Sequence, residues 1–248
     1  MITRRHLIVT GSSSLLLGGC DRLTNNGQFR SVLRSAEKLT MASQRLISSR
    51  DALAREYNEA DLSPIFRSNG TAMPGGDDYA RHVEEQFTNW RLAVDGLVAR
   101  PLSISMQTLR TLPHRTQITR HDCVEGWSAI GKWHGVPLSR ILDHAGLSTR
   151  ARYIVFHCAD RIGDKPYYES IDLIDAFHPQ TILAWGMNGH LLPVPNGAPL
   201  RLRVERQLGY KQAKYIQRIE AVESLHSAFG GNGGYWEDNA DYEWYAGI

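Results

Sequence analysis

The sequence has few cysteines and none of the spacings in which cysteines usually bind metals or haem. Only three occur in 248 residues, which is too few for a disulfide framework. No CxxC, CxxCH or iron–sulfur pattern is present, so zinc knuckles, c-type haem and iron–sulfur clusters are not expected. The GxGxxG and Walker sequences that bind nucleotide phosphates are absent as well.

An excess of charge of one sign is also lacking. The formal net charge is +2, and apart from Arg4 and Arg5 the chain has 26 basic and 26 acidic residues. This balance gives no electrostatic footprint for nucleic acid, so we expect no nucleic-acid partner. The apolar content of 42% is sufficient for a buried core.

The sequence lacks a long apolar run. The stretch 7–17 after Arg4 and Arg5 is interrupted by glycine and serines, which is too short and polar to span a bilayer and is typical of a secretory signal. The paired arginines resemble a twin-arginine export signal. The signal ends in Leu-Gly-Gly-Cys20, which resembles a bacterial lipobox; the alternative is a plain signal with a chance cysteine. We expect lipidation of Cys20, and therefore a periplasmic protein or one at the outer face of the cytoplasmic membrane, held there by a lipid anchor.

After this signal at 1–20, the pattern predicts a helical arm at 21–60 and a domain at 61–248. Apolar residues recur at helical spacing over 28–57, which predicts one long or two shorter helices that act as a stalk or packing arm. Pro64 and the glycine-rich stretch 69–76 then predict an irregular loop.

The remainder reads as a mixed, strand-rich α+β domain. Alternation and β-prone runs predict strands near 90–94, 152–158, 181–185 and 200–204. Asn188-Gly189 predicts a hairpin turn, and 137–144 a short helix that Gly146 ends.

The densest chemical cluster is 120–128, Arg-His-Asp-Cys-Val-Glu-Gly-Trp-Ser. On its residues alone Cys123 is a metal-bound thiolate, a nucleophile activated by a histidine, or a buried cysteine. A zinc site that adds His121, His157 and Cys158 is disfavoured, because adjacent strand residues point to opposite faces.

Two further stretches suit a compact dianion such as a terminal phosphate. They are 196–204, Asn-Gly-Ala-Pro-Leu-Arg-Leu-Arg-Val, and 209–214, Gly-Tyr-Lys-Gln-Ala-Lys. Exposed glycine amides, lysines and nearby arginines are groups that bind phosphate. Taken alone, the same residues are also compatible with a solvated strand face.

In combination these motifs resemble the molybdopterin-binding domain of the sulfite oxidase superfamily, and most of all the exported bacterial branch that includes periplasmic methionine sulfoxide reductase. The resemblance covers roughly residues 60–248, in the same order along the chain. The motifs that carry it are Asp122-Cys123-Val124-Glu125-Gly126-Trp127-Ser128, Trp133-His134-Gly135-Val136-Pro137-Leu138, Gly186-Met187-Asn188-Gly189, Asn196-Gly197-Ala198-Pro199-Leu200-Arg201 and Gly209-Tyr210-Lys211.

The resemblance implies a sulfite-oxidase-type molybdopterin-binding fold and molybdenum–molybdopterin as cofactor. It implies that the Cys123 thiolate binds the metal and is the catalytic residue, since soft sulfur ligands suit a metal that changes oxidation state. Cys158 corresponds to a cofactor-contacting threonine, and Lys214 is a weaker candidate than Lys211. The other residues that the resemblance assigns to the pterin and its phosphate are Asn69, Asn196, Arg201, Gly209, Tyr210 and Lys211.

The implied activity is a two-electron oxidation or reduction, and we expect it to be oxygen-atom transfer. Glu125 and Trp127 beside the ligand cysteine disfavour an anion such as sulfite, so a sulfoxide-reductase-like enzyme is favoured over a sulfite-oxidase-like one. The pair His121-Asp122 before the cysteine differs from that of the sulfoxide reductase branch, so methionine sulfoxide itself is not carried over and the expected substrate is a small molecule or a sulfoxide. Electrons require a separate redox protein, for which the family suggests a b-type cytochrome in the membrane. The rival hypotheses are a cysteine hydrolase that uses Cys123 with a histidine, and a lipoprotein binding module without cofactor.

The C-terminal stretch is rich in glycine and aromatic residues. Gly230–Gly234 precede Tyr235, Trp236, Tyr242 and Trp244. Such a segment is either a lid near the substrate or, as we favour, a tail packed on the domain by its aromatic side chains.

Overall fold

The structure, a computed structural model, describes residues 27–248. The chain divides into two compact units, of which the first ends at Ser48 and the second is Ser49–Ile248. The expected signal and the acylation site at Cys20 lie outside the described residues. In the first unit, helix α1 spans Gly27–Ile47.

The predicted helix over 28–57 is too long, because α1 ends at Ile47 and residues 48–57 form turns and extended chain. Tertiary hydrogen bonds explain the difference. The amide of Ala54 donates to Gln180 Oε1 at 2.8 Å, and that of Tyr57 to the Ile118 carbonyl at 2.9 Å. These partners hold the segment extended on the second unit despite its helical apolar spacing.

Two sheets form the framework of the second unit. One has the strand order β2-β1-β10-β5-β6, and the other has the order β3-β4-β7-β8 with β9 paired to β7. The β1–β10 pair is parallel and the other pairs are antiparallel. The strands are β1 Arg91–Gly96, β2 Leu102–Ser105, β3 Arg115–Asp122, β4 Ser128–Pro137, β5 Tyr153–Ile162, β6 Lys165–Asp172, β7 Ile182–Met187, β8 His190–Leu191, β9 Arg201–Arg203 and β10 Ile216–Val222.

Short helices connect the strands. They are α2 Asp77–Glu84, α3 Met106–Thr111, α4 Leu138–Ala145, α5 Leu173–Ala176 and α6 Tyr235–Asn239, with 3-10 turns at Glu59–Asp61, Val194–Asn196, Gly209–Lys211 and Leu225–Ser227. Gly146 ends α4 with φ +70°, as predicted. None of the helices in the described part of the chain is long and apolar enough to cross a membrane.

The alternating strands bury one apolar face each. Leu92 on β1, Phe156 on β5 and Ile219 on β10 are fully buried in one cluster, together with Ile141 and Leu142 of α4. Their spacing of two in strands and three to four in the helix places these side chains on inward faces. The strand-rich α+β fold is thereby confirmed.

The hairpin predicted at Asn188-Gly189 joins β7 to β8. Both residues have positive φ, 51° and 82°, the conformation that two-residue hairpin turns require. The side chain of Asn188 also accepts a hydrogen bond from the amide of Lys132 on β4, at 2.9 Å. This turn is therefore fixed locally and by its neighbour.

Candidate functional site

Cys123 lies in the tight turn between β3 and β4. Its amide donates to the Trp127 carbonyl at 2.9 Å, and the Gly126 amide donates to the Cys123 carbonyl at 3.0 Å. Gly126 has φ +86°, which explains the glycine at this position. The turn holds the Cys123 side chain nearly buried, 8% exposed, at the wall of a cavity.

The cavity has a volume of ≈ 260 Å³ and is built by loops and strand ends from six stretches of the second unit. It brings together Asn69, Cys123, Arg201, Gly209, Tyr210 and Lys214, all of which the sequence had proposed as cofactor residues. The other lining residues are Phe66, Arg67, Ser68, Gly70, Thr71, His121, Val124, Glu125, Asp160, Ile162, Tyr167, Pro195, Gln212, Trp236 and Tyr242.

Asn69 is the hydrogen-bond partner of the Cys123 sulfur. Its Nδ2 donates to Sγ at 3.1 Å, and a donor in this position orients the sulfur. Ser68 beside it donates from Oγ to the Pro195 carbonyl at 2.5 Å, and the Tyr215 hydroxyl donates to the Thr71 carbonyl at 2.7 Å. These bonds fix the loop that carries Asn69.

Lys214 ties the same loop to the far side of the cavity. Its Nζ donates to the carbonyls of Asn69, Thr71 and Pro195 at 2.7, 2.5 and 2.9 Å. Among the described residues no carboxylate lies within ion-pairing distance of this ammonium. Burial, and then the charge of Arg201, lower the pKa of Lys214 to about 7, although Asp160 opposes the shift.

Arg201 is a second cation without a carboxylate in the described part of the chain. It is 5% exposed, and its Nη1 donates to the Asn196 carbonyl at 3.0 Å. Its Nε and the Nδ2 of Asn196 have no hydrogen-bond partner there. Burial and the charge of Arg203 lower the pKa of Arg201 to about 9.

Asp160 is a buried acid in the wall of the cavity, which the exposed Glu125 also lines. Burial raises the pKa of its carboxyl group, against the opposing effects of the Thr71 hydroxyl and Lys214. Oδ1 is buried and has no partner within the described residues. A carboxyl group in this state can hold a proton or accept a hydrogen bond from a bound molecule.

These features fit a molybdopterin with its terminal phosphate. The buried guanidinium of Arg201 and the half-buried ammonium of Lys214, neither of which has a carboxylate partner among the described residues, match a compact dianion, since unpaired charge away from water is costly. Unpartnered polar atoms on Asn196, Arg201 and Gln212 match a heterocycle with several donors and acceptors. The nearby thiol of Cys123 matches a soft metal.

Three of the proposed cofactor residues do not line the cavity: Lys211, Cys158 and Asn196, of which Asn196 lies next to it through its bond with Arg201. Lys211 is fully buried, and its Nζ lies 2.7 Å from Glu169 Oε2 and 2.5 Å from Glu237 Oε1. Cys158 packs against the main apolar core, with its thiol 3.8 Å from the Phe156 carbonyl, and desolvation raises the pKa of this thiol.

Gly209 allows a close approach to His121. A Cβ at Gly209 would lie 2.5 Å from both Cε1 and Nε2 of the imidazole. The ring is held from its other side, where Arg203 Nη1 lies 3.1 Å from Nδ1. Because a guanidinium only donates, Nδ1 accepts and Nε2 carries the proton. Burial and the charges of Arg203 and Arg201 lower the pKa of His121, so the ring is neutral.

No motif pointed to the lining residues Phe66, Ile162 and Tyr167. Phe66 could have been found as an aromatic residue inside a polar loop. Its ring lies 5.5 Å from that of His121. Tyr167 had no such signal, because it is one of several aromatic residues on β6. The C-terminal tail is packed by its aromatic side chains, as favoured, and Trp236 and Tyr242 also line the cavity.

Comparison with known proteins agrees with this geometry. Residues 80–229 match the model of the oxidoreductase molybdopterin binding domain. A protein of Azospira oryzae, described as a candidate protein-methionine-sulfoxide reductase subunit YedZ1, is 39% identical over 94% of this chain and 82% of its own length. The protein-methionine-sulfoxide reductase catalytic subunit MsrP of Xanthomonas campestris is 34% identical over 80% of this chain, which spans 60% of that relative.

A solved structure shares the fold. The sulfane dehydrogenase SoxCD of Paracoccus pantotrophus superposes with a TM-score of 0.51 at 23% identity, over 56% of this chain and 40% of that one. The expected fold and the resemblance to sulfoxide reductases are thus confirmed, and the cofactor that the family binds is molybdopterin. The chain belongs to the family of molybdopterin-binding oxidoreductase domains and is an oxidoreductase similar to the catalytic subunits of methionine sulfoxide reductases.

Proposed function

We propose that the protein reduces methionine sulfoxide with a molybdenum centre that Cys123 ligates. The observation that carries this proposal is one cavity that contains the Cys123 thiol and two cations, Arg201 and Lys214, without carboxylate partners among the described residues. The names of the relatives support the substrate.

The residues that would hold the cofactor follow from the cavity. Arg201 and Lys214 would bind the phosphate, Gly209 and Tyr210 would border the pterin, and Asn196 next to Arg201 has an unpartnered amide nitrogen that could reach it. Lys214 replaces Lys211 as the principal lysine, because the ammonium of Lys211 is already neutralised by carboxylates. When bound, the cofactor supplies a metal that exchanges two electrons with a substrate.

The chain's own residues orient the ligand sulfur and hold a proton. Asn69 Nδ2 donates to Cys123 Sγ at 3.1 Å, which fixes the sulfur and moderates its negative charge. Reduction of a sulfoxide takes up two electrons and two protons and releases a thioether and water. Asp160, whose raised pKa favours the protonated carboxyl, is the group of the cavity that would hold one of these protons.

The hydrolase hypothesis lacks a base. In residues 27–248 the side chain that hydrogen-bonds the Cys123 sulfur is the amide of Asn69, which cannot take a proton from a thiol. His121 lines the cavity, but its Nδ1 is engaged by Arg203 and its pKa is lowered. The geometry therefore provides no Cys–His pair of the kind that activates a nucleophile.

Elemental analysis and turnover test the proposal together. Protein from a host that makes the cofactor should contain stoichiometric molybdenum and, with a reduced dye as electron donor, should convert methionine sulfoxide to methionine. Iodoacetamide should alkylate Cys123 only after the metal is removed. Metal-free protein from such a host, with a freely alkylated Cys123, would support the binding-module hypothesis.

We further propose export through the twin-arginine route and electron supply by a separate membrane protein of the b-type cytochrome class. The arginine pair of the signal and the absence of haem and cluster motifs support this. Replacement of Arg4 and Arg5 with lysine should leave precursor in the cytoplasm. Normal export of that variant would show that another route is used.

A further inference from the structure

Lys211 forms the centre of a buried cluster of charges. Its Nζ lies 2.7 Å from Glu169 Oε2 on β6 and 2.5 Å from Glu237 Oε1 on α6. The three side chains are at most 1% exposed. The cluster therefore joins three segments that are distant in sequence: a strand, the 3-10 turn 209–211 and the C-terminal tail.

One cation between two carboxyl groups leaves an excess of one acid. Burial, and then the charge of Glu237, raise the pKa of Glu169 well above its usual range. The cluster is neutral if one of the two carboxyl groups keeps its proton, and neutrality is the state that a dry environment favours. Lys211 is thus saturated by its neighbours and has no charge left for a phosphate.

The tail approaches this cluster closely. A Cβ at Gly234 would lie 2.0 Å from Glu237 Oε2 and 2.6 Å from Glu169 Oε2. Position 234 therefore requires glycine, because the backbone itself packs against the carboxyl groups. A contact this tight fixes the start of α6 relative to β6.

What the cluster fixes is one side of the cavity. Trp236 on α6 stacks on Tyr242 with ring centres 5.6 Å apart, and Tyr242 meets Tyr210 edge-on at 5.0 Å. The Tyr210 hydroxyl donates to the Glu243 carbonyl at 2.6 Å. Tyr210, Trp236 and Tyr242 all line the cavity, and we call these three residues the aromatic wall.

We propose that Lys211 is a positioning residue that locks the aromatic wall in place, and that this wall binds the sulfur and methyl group of the substrate. The inference rests on the proposed sulfoxide reductase function. A neutral aromatic surface suits a polarisable sulfur with an apolar substituent. It does not suit a small anion such as sulfite, for which the wall offers no cation.

The matched variants Lys211→Met and Lys214→Met separate this role from cofactor binding. We expect Lys211→Met to keep its pterin through gel filtration, whereas Lys214→Met loses it. In Lys211→Met the KM for methionine sulfoxide should rise about three- to tenfold with a smaller change in kcat, since each sulfur–aromatic contact is worth up to about a factor of ten. Limited proteolysis should cut its tail at 228–248 faster than that of the wild type.

Control variants guard against a general loss of stability. Arg206→Met breaks a partly buried ion pair with Asp175 that does not line the cavity, and it should leave the KM unchanged. Trp236→Ala removes one ring of the aromatic wall, leaves the three side chains of the charge cluster in place, and should reproduce the rise in KM. If Lys211→Met does not fold, Trp236→Ala and Glu237→Ala decide the question by the same KM and proteolysis measurements.

Three results would overturn the proposal. One is pterin loss from Lys211→Met as severe as from Lys214→Met, which would make Lys211 a cofactor residue. Another is an unchanged KM and an unchanged tail cleavage rate in folded Lys211→Met, or in Glu237→Ala if that variant has to stand in for it. The third is an unchanged KM in Trp236→Ala. Lack of reductase activity in molybdenum-containing wild type would instead reject the proposed function, while the cleavage rate would still report on the lock.

Discussion

Replacement of Lys214 with methionine should release the cofactor. The side chain keeps its length but loses an ammonium that has three carbonyl partners and, among the described residues, no carboxylate. A charge-assisted contact with a phosphate is worth about 1.5 to 3 kcal/mol, so the affinity for molybdopterin should fall about 10- to 150-fold. The loss also frees the loop of Asn69, which adds to the effect.

The same residue should make cofactor binding depend on pH. The pKa of Lys214 is lowered to about 7 in the cofactor-free protein, and a bound phosphate raises it again. Binding above pH 7 therefore takes up a proton, and the affinity should decrease as the pH rises from 7 until the pKa of the complex is reached. Lys214→Met should lose this dependence, apart from the titration of the phosphate itself, whose second pKa is about 6.

The stability of the cofactor-free protein should change with pH in the opposite direction to its cofactor affinity, so the two effects can be distinguished. Between the folded pKa of about 7 and the ordinary lysine pKa of 10.5, the unfolded chain binds more protons at Lys214 than the folded one. The free energy of unfolding should thus increase with pH in this window for the wild type relative to Lys214→Met. Urea midpoints at pH 7 and pH 9 measure this difference.

Pterin content after gel filtration is the primary assay, by fluorescence of the oxidised pterin. Lys132→Met is the control, because Lys132 pairs with Glu59 and does not line the cavity. Full pterin retention by Lys214→Met at pH 8, together with a wild-type pH profile, would refute the reasoning.

Further variants test other parts of the site. Cys123→Ser should keep the fold and substantial pterin, but its turnover and sulfur-to-metal absorption should collapse, because serine is a harder ligand; Cys158→Ser should be milder, and the reverse order of severity would refute the assignment. Gly209→Ala should cost about 1–3 kcal/mol through its clash with His121, seen as a lower Tm, and an unchanged Tm would contradict the packing. Cys20→Ala should move the protein from the membrane to the soluble fraction, and retention at high salt would mean that something other than a lipid holds it.

The sequence predicted those features that depend on residues close together in the chain. The Asn188-Gly189 hairpin is confirmed because its two positive φ angles are a local requirement. The family could be predicted from several motifs in a fixed order. The end of α1 could not, because residues 54–57 are held extended by tertiary hydrogen bonds with partners more than 60 positions away.

The position of the C-terminal tail could not be predicted from its local sequence pattern. Its aromatic residues are compatible with a lid or with packing, and the structure shows packing in which two of the rings also line the cavity. What determines this outcome is the contact of Glu237 with Lys211, and no spacing within 230–248 reports on that contact. The position of a short tail is set by its partners elsewhere in the chain.

The two lysines of the stretch 209–214 could not be told apart by their local sequence, but their ion-pair partners in the structure distinguish them. They are three residues apart, Lys211 fully buried and Lys214 half-buried, and the motif alone favoured Lys211 as the phosphate ligand. The 3-10 turn directs Lys211 to Glu169 and Glu237, whereas the ammonium of Lys214 donates to three carbonyl oxygens and has no carboxylate partner among the described residues. A carbonyl orders an ammonium but does not neutralise it, so Lys214 and likewise Arg201 remain able to bind an anion. A cation in the cavity is therefore best assigned to cofactor binding when no carboxylate pairs with it in the described part of the chain. Arg201 meets this criterion as fully as Lys214 does.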